Sequence, residues 1–271
     1  MLEANAMEPI TTLYRDDKTK DSIILYCDIL GYETMIEEFG DNGFFHKIDS
    51  FFRMMEQSIE RINNIIKSTN KQFTPIDKIL FSDNFVLLSE ITDEQRIKRQ
   101  VELIINEISN IITQVCLPQN LFIRGSITRG QVLFDPQHHF IYGTGLVKAH
   151  YLENNIACMP RIVVDEEIIK LKPEGITVDS SDGQYFIDYL DMSKKEREHY
   201  NKNCRTDDNP LHPFICRCQL ANNNIKNNII KFAHDEKVLK KYLWVAQYHN
   251  NFYKNNNDCI VNGKNVFIID I

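Results

Sequence analysis

Two short runs, SIILYCDILGY over 22–32 and KILFSDNFVLLS over 78–89, constrain the fold more than any other part of the chain. Each is an apolar, β-rich run, and the first is nearly continuous, the pattern of a strand buried on both faces. Each also meets a carboxylate beside a tight turn, Asp28 in one and Asp83 in the other. A sheet that pairs the two strands centrally brings these carboxylates together. Taken singly, Asp28 reads as the cap of the helix that follows it and Asp83 as a hairpin-turn residue. Taken as a pair, they make a site for a hard divalent cation, which prefers oxygen ligands and is held by one or two carboxylates plus substrate phosphates. Gly31 shortly after Asp28, and the segment RGSITRG from Arg124 to Gly130, favour the phosphate reading.

Composition narrows the partners. The chain has 271 residues, of which 43% are hydrophobic, enough for one substantial core with an accessory region. Its formal charge is −7 and no long basic tract occurs, which argues against a protein that grips nucleic acid through its net field. A nucleotide stays possible, because a metal neutralises phosphates locally. No apolar run is long enough to span a bilayer, and the acidic opening stretch lacks the apolar stretch of a signal peptide, so a cytosolic protein with no membrane contact is expected. The seven cysteines follow no framework spacing and are expected to be reduced; His212, Cys216 and Cys218 with Cys204 lack the paired knuckles of a zinc site.

Periodicity gives an order of elements. A first strand at 22–30 leads to a short helix at 33–39 and a longer one at 43–68, whose stripe Phe44, Ile48, Phe51, Phe52, Met55, Ile59, Ile62 and Ile66 reads as core. The hairpin of the second run turns at Ser82, Asp83 and Asn84 and is followed by a helix over 93–116. Residues 121–135 read as two strand-like pieces, with a bulge or a close backbone approach expected at Gly125 and Gly130. A short strand, a glycine turn and a helix fit FIYGTGLVKAHYLENN, and RIVVD is another buried strand. Short strand-like pieces and a polar segment over 191–210 follow, then two helices at 213–231 and 235–253. The expected fold is an α/β sandwich, in the α+β sense, with an antiparallel-containing central sheet, helices over one face and a C-terminal helical extension.

This order of motifs resembles a class III nucleotidyl cyclase catalytic domain over residues 20–165, with 166–271 as an extension packing on it in one globular unit. The matching words are CDILGY, FSDNF, the Arg-Gly strand from Arg124 to Gly130, and GTGLVKAHYLE; with MPRIVVD the wording is most similar to the pyrimidine cyclases of bacterial Pycsar anti-phage systems. The resemblance implies a palm-type sheet and a two-metal site for Mn²⁺ or Mg²⁺ at Asp28, Ile29 and Asp83. It implies a phosphate-binding turn at Leu30, Gly31 and Tyr32, and Arg124 as the residue that stabilises charge on the phosphoryl oxygens; an edge salt bridge is the competing role for Arg124. It implies a homodimer with sites shared between protomers, a pyrimidine nucleoside triphosphate as substrate, and a cyclic nucleotide read by a separate effector.

The departures bear on the base. Where purine cyclases carry polar base readers, this chain has Ile79 and Phe140, an apolar pair that cannot match a purine's hydrogen-bonding edge. The asparagine and arginine that the helix of such domains carries are replaced here by Val147 and Leu152, which leaves Lys148, Arg129 and Arg161 as candidates for transition-state help. The expected activity is cyclisation of UTP, or CTP, to the 3′,5′-cyclic mononucleotide and pyrophosphate. The alternatives are an adenylyl or guanylyl cyclase with relaxed base contacts, and a catalytically silent nucleotide-binding dimerisation module.

Overall fold

The first apolar run forms β1 (Lys20–Ile29), and its neighbours follow from which residues can share a buried face. β2 (Asp77–Phe81) and β3 (Asn84–Glu90) make the expected hairpin, closed by Ser82 and Asp83 with Ser82 at φ +38° and Asn84 already in β3. β3 lies antiparallel to one edge of β1 and β4 (Ile123–Asp135) to the other. With β6 (Ile162–Val164), β7 (Ile176–Val178) and β8 (Tyr185–Ile187), the sheet runs β2-β3-β1-β4-β6-β8-β7, and β5 (Phe140–Tyr142) pairs with the far end of β4. The β4–β6 pair is parallel, so the sheet is mixed. The computed structural model describes residues 19–68, 74–138, 140–192, 213–255, 260–261, 264–265 and 268–270.

Alternation along β1 sorts the two faces. Ile23, Leu25, Cys27 and Ile29 enter the main core with α1 (Tyr32–Ser68) and α2 (Ile97–Ile111). Ile24 joins a second cluster with Val86, Leu88, Val132 and Ala149 of α3 (Thr144–Asn155), with Tyr26 packed against it. Helices therefore cover both faces, not one: α1 and α2 lie on the first and α3 on the second.

Other expected boundaries shift for identifiable reasons. The two helices expected at 33–39 and 43–68 are both present within α1 and meet at a kink at Gly40, whose non-helical φ of 64° and ψ of 167° separate them. The helix expected over 93–116 begins at Ile97 and ends in a π-turn (Ile112–Cys116) and a 3₁₀ turn (Leu117–Gln119). β4 is one continuous strand through Gly125 and Gly130; glycine serves there for close approach, since a Cβ on Gly130 would lie 2.5 Å from the Cα of Gly145 in α3.

The C-terminal part does more than add a layer. After the short helices α4 (Glu166–Ile169) and α5 (Tyr189–Met192), the hairpin α6 (Pro213–Lys231) and α7 (Glu236–Asn255) contributes Phe214, Ile225, Tyr242 and Val245 to the same core as β1. Trp244 Nε1 donates to Asp179 Oδ2 at 2.6 Å. Arg161, fully buried, pairs with Asp179 and Asp182 and lies over the Phe186 and Trp244 rings. Among the described residues no helix is long and apolar enough to cross a membrane. The segment over 193–212, with Cys204 and His212, lies outside the described residues, whereas Cys216 and Cys218 are half-buried in α6.

Candidate active site

Strand register builds the site. Asp28 stands opposite Asn84 of β3 on one side and Arg124 of β4 on the other, on the same sheet face as Ile24 and Tyr26. Arg124 Nε donates to Asp28 Oδ2 at 2.9 Å. The same Nε lies 2.8 Å from Glu153 Oε1, an ionic contact in which that buried oxygen makes no hydrogen bond. Glu153 arrives there because α3 is pinned one turn earlier: Ala149 is fully buried and its carbonyl accepts the Ser126 hydroxyl at 2.7 Å. A residue four positions later on the same helix face then points back at the start of β4.

The hairpin supplies the second carboxylate. The Ile29 N–H donates to the Asp83 carbonyl at 3.0 Å, which draws the turn against the end of β1. Tyr26 Oη donates to Asn84 Oδ1 at 2.9 Å, and Asn84 Nδ2 donates to Asp83 Oδ1 at 2.9 Å, so a tyrosine and an amide hold the Asp83 carboxylate. Burial pushes the Asp28 carboxyl up, Arg124 pulls it back, and Asp83, within hydrogen-bonding reach, raises it again. Glu153 is raised mainly by burial and by Asp28 and Asp83, against the pull of Arg124. Tyr26 is pushed to about 12, first by burial and then by the three carboxylates. Anionic charge is thus concentrated beyond what one arginine offsets.

The turn at Gly31 follows β1. Gly31 sits at φ +74°, a conformation glycine adopts without a Cβ penalty, and nothing lies within 4 Å of where a Cβ would be. The Leu30 N–H donates to the Phe122 carbonyl at 2.8 Å, and Tyr32 is half-buried against the main core as α1 begins. Beneath the turn is a cavity of about 150 Å³ lined by Leu30, Gly31, Thr34, Asn120 and, from α7, Lys241.

The remaining sequence candidates divide. Ile79 is buried in the cross-strand row Tyr26–Val86–Ile79, one row from Asp28 and on the same face. Phe140 pairs with Asp135, eleven residues along β4 from Arg124, or roughly 36 Å at strand rise, so one chain does not bring Phe140 to its own Asp28. Arg129 is tied to Asp21 and Glu94, Lys148 to Asp165 and Glu167, and Arg161 to its own acids, so all three serve structural ion pairs. Sequence reading missed Glu153, Asn84, Tyr26 and Lys241. The spacing of Glu153 from the buried Ala149 was the one available signal for any of them.

No protein-family model matches the chain, and no curated protein matches it. Solved structures similar to it include an adenylyl cyclase, CyaB, from P. aeruginosa, at 16% identity and TM-score 0.45 over 62% of this chain and 94% of that one. A guanylyl cyclase structure is similar at 11% identity and TM-score 0.42 over 62% of this chain and 90% of that one. A class III adenylyl cyclase-like ATP-binding protein from Pseudomonas aeruginosa is similar at 12% identity and TM-score 0.40, over 79% and 60% respectively. At such identities a shared outline does not fix a shared chemistry.

The donor set fits a hard divalent cation. Asp28 and Asp83 offer carboxylate oxygens close enough that Asp83 helps to raise the Asp28 carboxyl, a repulsion that a cation relieves. Among the described residues no group of three or more His, Cys, Asp or Glu side chains is gathered as a metal cluster. A cation here would be held by the two carboxylates, main-chain oxygen such as that of Ile29, water and substrate phosphate, as suits Mg²⁺ or Mn²⁺.

Proposed function

We propose that the protein is a metal-dependent nucleotide cyclase that converts UTP, with CTP as the close competitor, to the 3′,5′-cyclic mononucleotide and pyrophosphate. The observation that carries this is the meeting of Asp28, Asp83 and Arg124 at one end of the sheet, directly before the Gly31 turn. In the reaction the ribose 3′-oxygen loses its proton and bonds to the α-phosphorus as the bond to the β-phosphate oxygen breaks. Bound divalent cations supply positive charge to the phosphates and favour the alkoxide. The chain's own part is to hold Asp28 and Asp83 as oxygen donors, to present the main-chain N–H groups of the turn at Gly31 and Tyr32 to the phosphates while the Leu30 N–H, donated to Phe122, fixes the turn, and to place the Arg124 guanidinium where phosphoryl charge builds.

The pyrimidine preference rests on the apolar positions. Ile79 gives the pocket no hydrogen-bonding group to read a purine edge, and Phe140 offers only a ring face. Phe140 reaches a nucleotide only in a head-to-tail dimer, where the far end of one protomer's β4 approaches its partner's Asp28. The α3 face supports such a dimer: Phe140 and Tyr142 stack at 6.4 Å on β5, and Val147 and Tyr151 project from α3 with 70% and 57% of their surface exposed. In the proposed setting of anti-phage defence a separate effector reads the cyclic product.

The test is incubation of the purified protein with each of the four NTPs and Mn²⁺ or Mg²⁺, at several protein concentrations, with identification of cyclic products. Pyrimidine kcat/KM should exceed purine kcat/KM by about 10²-fold. Specific activity should fall on dilution below the dimer dissociation constant. A preference for ATP or GTP would overturn the base assignment alone, and absence of any cyclic product would overturn the cyclase reading.

A further inference from the structure

The C-terminal hairpin brings a cation to the Gly31 turn that no strand of the sheet provides. Lys241 of α7 lines the cavity under that turn together with Leu30, Gly31 and Thr34. Two other charges line the same cavity, Lys231 and Glu38, and they pair with each other. Lys241 makes no ion pair among the described residues. It is half-buried, and its ammonium is pushed down first by burial, then by the nearby Arg124 and Lys237, with Asp28 acting against them. Arg124 is engaged by Asp28 and Glu153, whereas the half-buried Lys241 ammonium has no carboxylate in contact among the described residues, which leaves it open to an anionic ligand in the cavity.

The hairpin is fixed to hold this lysine where it is. The adjacent Tyr242 ring packs edge-on against Phe122 at 5.0 Å and stacks on Phe232 at 5.5 Å. Phe122 in turn accepts the Leu30 N–H, so the turn and α7 share one support. Three residues on, Trp244 is anchored to Asp179.

We infer that Lys241 is a phosphate-binding residue of the site, the C-terminal hairpin supplying a second cation beside Arg124 for the polyphosphate arm of the nucleotide and for the pyrophosphate that leaves. This rests on the nucleotide reading of the Asp28 site. It gives the extension a chemical role: the turn donates N–H groups from one side of the cavity and the hairpin donates an ammonium from the other.

The experiment is calorimetric titration of the full chain with inorganic pyrophosphate in the presence of Mg²⁺, using wild type, Lys241→Gln, Lys241→Arg and Lys231→Gln, with KM for the cyclised nucleotide measured alongside. Removing an unpaired, half-buried charge should leave folding intact, which thermal unfolding checks. Lys241→Gln should weaken pyrophosphate binding by about tenfold or more and raise KM in step, Lys241→Arg should recover most of the loss, and Lys231→Gln should bind as wild type does. Wild-type affinity and KM in Lys241→Gln would overturn the assignment while leaving the cyclase reading intact. An equal loss in Lys231→Gln would also overturn it, because the effect would then belong to the general field. A wild-type protein that binds no pyrophosphate and cyclises no nucleotide would remove both readings together.

Discussion

Arg124 and Asp28 lie 96 residues apart in sequence, yet the Arg124 Nε is 2.9 Å from Asp28 Oδ2 across the β1–β4 pair. The same nitrogen touches Glu153, so one guanidinium offsets two of the three carboxylates that crowd this end of the sheet. A divalent cation bound by Asp28 and Asp83 would compete with Arg124 for Asp28 and free the guanidinium to turn toward phosphate.

Asp28→Ala and Asp83→Ala should each lower cyclisation by on the order of 10³-fold or more, since each removes one of the two anionic donors proposed to hold the cation. Both variants should fold, because each relieves carboxylate repulsion. Activity under saturating Mn²⁺, together with circular dichroism, checks this; near-parental turnover in either variant would move the site elsewhere.

Glu153→Gln and Arg124→Ala should separate positioning from charge balance. The amide keeps the shape of Glu153 and removes a buried, poorly solvated carboxylate, so stability should hold or rise while turnover drops about tenfold as Arg124 loses one of its two anchors. Arg124→Ala leaves Asp28 and Glu153 without their cation and should cost on the order of 3 kcal/mol as well as activity. Urea unfolding and steady-state kinetics on both variants decide it.

Gly130→Ala should be among the most damaging single-methyl additions in the chain. The new Cβ would meet the backbone of Gly145 at 2.5 Å, and backbone on backbone cannot yield as a flexible side chain does. α3 would have to lift from β4, at about 3 kcal/mol, and carry Glu153 away from Arg124. A shifted urea midpoint with unchanged slope, alongside reduced turnover, is the expected pair of observations.

Acid stability should carry the signature of His249. Burial pushes this imidazole down to about 3 from its ordinary 6.5, and its Nε2 lies 3.0 Å from the Tyr189 hydroxyl while Nδ1 has no hydrogen-bond partner. The unfolded chain therefore binds a proton that the folded chain refuses between pH 6.5 and about 3. The stabilisation from neutral His249 is complete above pH 6.5 and declines as pH falls through that window, by about 2 kcal/mol between pH 6.5 and 5. Unfolding free energies measured against pH should show a shallower acid slope in His249→Gln; identical slopes would disprove the assignment.

Local sequence determined the elements that own their signal. The apolar run at 22–30 and the stripe from Ile48 to Ile66 specify a doubly buried strand and an amphipathic helix wherever they are placed, because burial pattern is a property of a few consecutive residues. The carboxylates at the ends of β1 and the hairpin were legible for the same reason, and so was the turn at Gly31. What lay beyond reach were relationships between distant residues. Gly125 and Gly130 could be read as points of bulge or close backbone approach, but nothing within residues 121–135 states that β1 crowds the first, that α3 crowds the second, or that one strand runs through both. Arg129, Lys148 and Arg161 looked as available as Arg124; acids from elsewhere in the chain engage the first three in structural pairs, and the cross-strand register alone sets Arg124 beside Asp28. Glu153 and Lys241 lie on helices whose own periodicity is indifferent to them. Only the packing of α3 and α7 against the sheet decides that one joins the carboxylates and the other faces the Gly31 turn, because a side chain's partners across space depend on the sum of all the packing contacts and not on its neighbours in sequence.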